Sequence, residues 1–236
     1  MAPGISIAAV LGKTALFGSL AHADRLAVAE QMRRAAFKQG QTIFARGDTA
    51  TDVYLVVEGS VRLSVFSSDG RTLSFKHANA GDFFGEIACL DGGARSADAT
   101  AITRVQVMAL AQARFTSLIE TNPRVARAAI TFLCQRLRDT SEQSEAIALH
   151  PIEVRLARFF LSRCKHADAD GAVNRSSFDL GMSQNELALL VGASRQKVNA
   201  ALALLENANA VKRSGNRLVC NVARLQRLAG SPSLKL

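Results

Sequence analysis

Two periodicities organise this chain of 236 residues. Between residues 14 and 36, Leu16, Leu20, Leu26, Val28 and Met32 fall on one face at helical spacing, and His22 to Asp24 sit near a helix start. That spacing predicts a short helical lead-in. From Phe37 the period shortens towards two. Thr42–Ala45, Asp52–Val57 and Val61–Phe66 read as strands, the last setting Val61, Leu63 and Val65 against Ser60, Arg62 and Ser64. Gly40, Gly47, Gly59, Gly70 and Gly81 punctuate the region, and such spacing favours an antiparallel sandwich or barrel, with Asp69-Gly70 a hairpin turn.

Ala101–Leu110 reads as a further strand, with Val105, Val107 and Met108 apolar. A long helix follows, with Asn122 as its cap and Pro123 in its first turn, where a missing N–H costs nothing. Ala126, Ile130, Leu133, Leu137 and Ile147 form an approximate stripe along it. The stripe suits either a coiled-coil-like dimer seam or packing onto the sheet, and different faces can do both. Thr140-Ser141 interrupts it with hydroxyls that either face solvent or meet a ligand. His150-Pro151 ends the helix and predicts a hinge near residues 148–152.

A helix resumes over Glu153–Cys164 with Leu156, Phe159 and Phe160 inward, then residues 165–177 are polar and turn-rich, and Ser177–Leu180 forms a short strand. Ser183-Gln184-Asn185-Glu186 fits a capping box, and the helix it opens runs through Val191 to Gly192. Ser194 caps another helix that runs to about Asn207. This is the helix-turn-helix pattern. Val198, Ala201, Leu202 and Leu205 share the inward face, which leaves Arg195, Gln196, Lys197, Asn199 and Ala200 outward. Arg, Gln and Asn suit guanine and adenine edges in the major groove. Val211 to Arg213, a turn at Ser214-Gly215-Asn216, and Arg217 to Val222 form a basic hairpin, or wing, whose Lys212 and Arg213 face phosphates.

Charge sharpens this division. Of the formal net charge of +9, residues 183–236 carry +6, with 8 Lys+Arg against 2 Asp+Glu. A basic end of this kind implies a polyanionic partner. Membrane-surface binding is disfavoured there, because no basic amphipathic helix with bulky apolar anchors occurs. Cys89, Cys134, Cys164 and Cys220 lack C-x-x-C spacing, and the four histidines are dispersed. Metal, iron–sulfur and disulfide frameworks are therefore not expected, and idle thiols suit a reducing cytoplasm. The apolar run Ile5–Leu11 has no basic flank, so no signal peptide is expected, and no apolar stretch has the length of a transmembrane helix.

The chemistry concentrates in Phe83–Thr100, F-F-G-E-I-A-C-L-D-G-G-A-R-S-A-D-A-T. A Gly85-Glu86 step opening a brief helical turn over Ile87 to Leu90 aims backbone N–H groups at one spot, where an anion binds. Arg95 adds a planar fork for phosphate oxygens, and Glu86 can accept from a sugar hydroxyl. Taken alone, the same residues also permit a plain Glu86–Arg95 salt bridge in a loop.

Gly85-Glu86-Ile87-Ala88 with Arg95-Ser96-Ala97 resembles the phosphate-binding cassette of cyclic-nucleotide-binding domains. Arg136 to Glu142 resembles the long helix of the cyclic-AMP receptor branch, and Leu187–Leu205 the winged helix of the Crp/Fnr transcription regulators. The resemblance covers nearly the whole chain. It implies an α+β fold: a β-roll (jelly-roll-like) sensor over residues 1–121, a dimerisation helix over 122–149 and a winged helix-turn-helix domain over 150–236. It implies a cyclic nucleotide effector, cyclic AMP with cyclic GMP as the alternative, held by Gly85, Glu86, Ile87, Ala88, Arg95, Ser96, Thr140 and Ser141. No metal and no enzymatic activity are implied. It implies double-stranded DNA with a palindromic operator, read through Ser194, Arg195, Gln196, Lys197 and Asn199 and steadied through Lys212 and Arg213. A cytoplasmic homodimer that meets RNA polymerase completes the expectation. Ala200 and Gln196 depart from the residues common at those positions, which bears on the operator sequence. A regulator of the same fold that ignores cyclic nucleotides is the alternative. A β-sandwich enzyme or carrier is the remote one, since no nucleophile–base pair or metal set is in evidence.

Overall fold

The computed structural model describes residues 6–66, 72–164, 175–214 and 217–230. By its contacts the chain forms two compact units, Met1–Asp139 and Thr140–Leu236. The expected turns at Asp69-Gly70 and Gly215-Asn216, and the start of the loop after Cys164, lie outside the described residues.

The first unit begins with α1 (Ile7–Leu11) and α2 (His22–Glu30). The short lead-in helix expected within residues 14–36 is α2, which starts at His22, while Arg33 to Ala36 at the end of that range belong to a strand. Between the two helices the Thr14 hydroxyl donates to Leu11 O (2.8 Å) and accepts from the Phe17 amide (3.2 Å), local bonding that competes with a helical ladder. Leu16, Leu20, Val28 and Met32 go inward as expected, while Leu26 is exposed. The strands and helices that follow are β1 (Arg33–Phe37), β2 (Thr42–Phe44), β3 (Asp52–Glu58), β4 (Ser60–Phe66), β5 (Thr72–Asn79), β6 (Phe83–Phe84), α3 (Glu86–Asp91), β7 (Asp98–Ala101), β8 (Val105–Ala111), α4 (Gln112–Thr121) and α5 (Pro123–Leu149).

Two antiparallel four-stranded sheets, β1-β8-β3-β6 and β2-β7-β4-β5, make the roll. The single strand expected over Ala101–Leu110 is two strands in different sheets, because the chain crosses over between them at residues 102–104. Alternation along β3 and β8 sorts side chains between two cores. Tyr54, Val56, Val105, Val107 and Ala109 point into the roll, whereas Val53, Leu55, Met108 and Leu110 pack beneath the helices with Phe17, Phe115, Val125 and Ala129. Burial on both faces explains why β3 reads as an unbroken apolar run. The short β6 does the same in two residues, sending Phe83 to the helical core and Phe84 into the roll. Fully burying side chains of this size stabilises by about 1.5–3 kcal/mol each.

Helix α5 starts as its sequence dictates. Asn122 Oδ1 accepts from the Arg124 and Val125 amides at 3.0 and 3.4 Å. Helix α4 buries Phe115 and packs Leu118 and Ile119 beside it, an apolar stripe only about one turn long.

The second unit contains α6 (Ile152–Cys164), β9 (Arg175–Asp179), α7 (Gln184–Val191), α8 (Arg195–Asn207), β10 (Val211–Ser214), β11 (Arg217–Asn221) and α9 (Val222–Ala229). Its three strands form the antiparallel sheet β10-β11-β9. Leu156, Phe160, Leu187, Val198, Leu202, Leu205, Leu218 and Leu225 build its core. Ser183 Oγ caps α7 from the Glu186 amide (3.2 Å), and Ser194 Oγ caps α8 from the Lys197 amide (3.3 Å). The α+β architecture, an antiparallel roll, a long helix and a winged helix-turn-helix, is as expected. Among the described residues, no helix is long and apolar enough to cross a membrane.

Candidate ligand cassette and nucleic-acid interface

The cassette is built around a glycine that no other residue can replace without moving its neighbours. Gly85 joins β6 to α3 in the left-handed region (φ 78°), and a Cβ there would lie 2.7 Å from Arg95 Nη1 and 3.3 Å from Phe44 Cε1. The missing side chain lets the guanidinium reach the backbone. Arg95 Nη1 donates to Gly85 O and Nη2 to Asp52 O, both at 2.7 Å. Its plane lies over the Phe44 ring, 4.1 Å from the centroid, a favourable place for a cation. The backbone of Arg95 is pinned too, its amide donating to Asp48 O and its carbonyl accepting from the Gly47 amide, each at 2.9 Å. Asp52 itself is held by Arg33 Nη2 (2.6 Å) and Thr51 Oγ1 (2.9 Å).

The result is a fixed cation, 3% exposed, with an open valence. Arg95 Nε is buried and has no acceptor among the described residues. A buried donor without a partner costs free energy that an incoming anion recovers. A phosphate fits this donor set, because a guanidinium offers five N–H groups and two are spent on carbonyls.

Glu86 stands beside it, 5% exposed. Burial pushes its carboxyl up to about 7, with Arg95 and its own backbone amide pulling the other way and Asp82 adding to the rise. Arg136, reaching in from α5, donates from Nη2 to Phe83 O (2.8 Å) and places Nε 3.8 Å from Glu86 Oε1. At that distance the contact is one of charge rather than a hydrogen bond. Arg136 also lies over the Phe132 ring at 4.8 Å, and burial lowers its pKa. Sequence reasoning included Arg136 in a motif but gave it no role at the site. Its spacing of four residues before Thr140 on one helix was the available signal.

The remaining cassette residues divide by exposure. Ser96 and Ile87 are exposed, and Ala88 is buried in the helical core beside Cys89. The Cys89 thiol is raised by burial, opposed by the nearby Arg95 charge. Thr140 and Ser141 are exposed on α5 and belong by contacts to the second unit.

In that unit the interior positions of α8 recur at the spacing of one helical face, Val198, Ala201, Leu202 and Leu205, all buried. Arg195, Gln196, Lys197 and Asn199 are left exposed on the other side with Ser194. Lys212 and Arg213 are exposed on β10, and Arg213 is engaged, donating from Nε and Nη2 to the two oxygens of Glu206 at 2.7 Å each. That bidentate pair ties the wing to the end of α8 and holds the Glu206 carboxyl below its ordinary range. Among the described residues, no group of three or more His, Cys, Asp or Glu gathers as a metal site.

Comparison with known proteins agrees with both halves. Residues 34–122 match the cyclic nucleotide-binding domain, and residues 154–228 match the Crp-like helix-turn-helix domain. A CRP-like cAMP-activated global transcriptional regulator of Mycobacterium tuberculosis is 28% identical over 222 residues, 93% of this chain and 98% of that protein. The catabolite activator protein of Thermus thermophilus is 28% identical, with a TM-score of 0.53 over 93% of this chain and 100% of that one. FixK2 from Bradyrhizobium japonicum, 24% identical, shares the fold with a TM-score of 0.75 over 85% of this chain and 98% of that one.

Proposed function

The chain belongs to the Crp/Fnr family of transcription regulators, and from that premise we propose that it is a homodimer whose DNA binding is switched by cyclic AMP. As a DNA-binding regulator with a cyclic nucleotide-binding domain, it is not an enzyme. The observation that carries the ligand is Arg95, a buried and pinned guanidinium with an unmatched Nε beside a glycine that cannot carry a side chain. A cyclic phosphate supplies the acceptor. Glu86 accepts from the ribose hydroxyl, with Arg136 steadying its charge, and Ser96, Thr140 and Ser141 are the hydroxyls available to the rest of the nucleotide.

Dimerisation is supported by α5, where Ile130 and Leu137 are 63% and 68% exposed in the single chain. Two such helices burying these side chains against each other bring two copies of α8 to one operator, at half-sites roughly 34 Å apart. Binding switches the dimer only if the nucleotide prefers one arrangement of it, and the preference sets the size of the response. RNA polymerase is the further partner, and the cytoplasm is the compartment where such a regulator meets DNA.

Titration calorimetry of the purified protein with cyclic AMP and with cyclic GMP is the test. Saturable heat with cyclic AMP is expected, and the absence of heat at about millimolar ligand defeats the ligand assignment. Equal operator affinity with and without bound cyclic AMP leaves a DNA-binding regulator that is not gated by it.

A further inference from the structure

One guanidinium closes the ends of two helices in the second unit. Arg155, on α6, donates from Nε to His150 O and from Nη2 to Ile147 O, both at 2.8 Å. From Nη1 it donates to Val191 O (3.0 Å) and Gly192 O (3.3 Å). Ile147 lies in the last turn of α5. Val191 ends α7, and Gly192 is its left-handed cap at φ 65°.

An α-helix leaves its last four carbonyls without internal donors and carries partial negative charge there. Arg155 therefore satisfies carbonyls from two such ends at once and sets a full positive charge between them. Gln143 adds a second tie, donating from Nε2 to Leu190 O at 3.1 Å. Packing completes the joint. A Cβ on Gly192 would lie 3.1 Å from Ile147 Cδ1, so the turn of the helix-turn-helix rests directly on the end of the long helix.

We propose that Arg155 is the positioning residue that makes the last two turns of α5 and the helix-turn-helix turn one rigid block, so that a shift in α5 reaches α8 through it. The proline break at His150-Pro151 has the sequence of a hinge. In the folded unit Arg155 bridges it from both sides. Only a planar fork serves the joint: lysine keeps the charge between the helix ends but cannot bond carbonyls on both sides. The functional consequence rests on gating by cyclic AMP. The block itself does not.

The test uses the full chain with Arg155→Gln, Arg155→Lys and Gln143→Ala. Amide hydrogen exchange needs neither ligand nor DNA. In both Arg155 variants the Gly192, Ala193 and His150 amides are expected to exchange about tenfold faster, with the Val198 amide inside α8 unchanged. Unchanged exchange at those three amides, or equal acceleration at Val198, overturns the proposal.

The second readout is the ratio of operator dissociation constants without and with cyclic AMP. It is expected to fall to within about twofold of one in both Arg155 variants while calorimetric cyclic AMP affinity is kept. A reader that is merely destabilised loses active protein under both conditions and leaves the ratio where it was, which also overturns the proposal. If the wild-type ratio is already one, the gating reading fails and the exchange result alone decides. If neither Arg155 variant folds, Gln143→Ala, which removes the Leu190 tie and leaves Arg155 in place, is expected to speed the same amides about threefold, and no change there counts against the block.

Discussion

The two units present cations to anions in opposite ways. In the first, Arg95 is 3% exposed and held by two carbonyls and an aromatic face, with Glu86 buried beside it. In the second, Arg195 and Lys197 stand in solvent on α8, whose opposite face is core, and Lys212 stands in solvent on β10. The difference follows from the size of the partner. A small ligand can be enclosed, so its cation is fixed in advance in a low-dielectric setting where each hydrogen bond is strong and nothing reorganises on binding. A duplex cannot be enclosed. Cations that meet it stay hydrated, and their affinity comes largely from counterions released by the phosphates.

The largest way to break this contrast is Arg95→Gln. Losing a pre-organised cation that makes two or more charge-assisted bonds is expected to weaken cyclic AMP by about 3–5 kcal/mol, roughly 10²–10⁴-fold by calorimetry. The salt dependence of DNA binding should not move. A variant that keeps its nucleotide affinity removes the cassette from the account.

Next in size is a pH effect confined to the buried site. Glu86 is raised from the model-compound value of 4.5 to about 7, so the folded state holds its proton where the unfolded chain has lost it. The stability associated with that proton is complete below about 4.5 and is lost as pH rises through about 7, by about 3 kcal/mol at roughly 1.4 kcal/mol per pH unit. Urea unfolding without ligand should show Glu86→Gln gaining on the wild type by that amount between pH 4.5 and 8. An equal difference at both ends breaks the prediction.

Smaller again are the exposed contacts. Arg195→Ala should cost about 1–3 kcal/mol and relax preference at one base position, measured by titrating single-base operator variants. Lys212→Ala should weaken all sequences alike and reduce the slope of log affinity against log salt by about 1. Base-specific loss at Lys212 would blur the contrast from the reader's side.

Much of this was legible in the residues. The period-two strands, the Asn122-Pro123 start of α5 and the serine caps of α7 and α8 all occur where local chemistry puts them, because each depends on neighbours within a few residues. Helix α4 and strands β1 and β6 were not legible. The Phe115, Leu118 and Ile119 stripe of α4 is only about a turn long, a strand of two residues leaves no period to read, and the place of β1 comes from a partner far along the chain. Likewise Arg213 reads as a phosphate contact by composition, yet its fork is filled by Glu206, seven residues away on another element.

The sequence by itself determined the order of the parts and the types of side chain the two sites use, since motif spacing and helix periodicity are local properties. The tertiary structure alone decided which donors are spent and which remain. It put Arg95 on the Gly85 and Asp52 carbonyls with Nε over, drew Arg136 from α5 to Glu86, and closed the Pro151 break through Arg155. Those choices depend on which carbonyls lie within 3 Å or so of a guanidinium after packing, and no pattern along the chain records that distance.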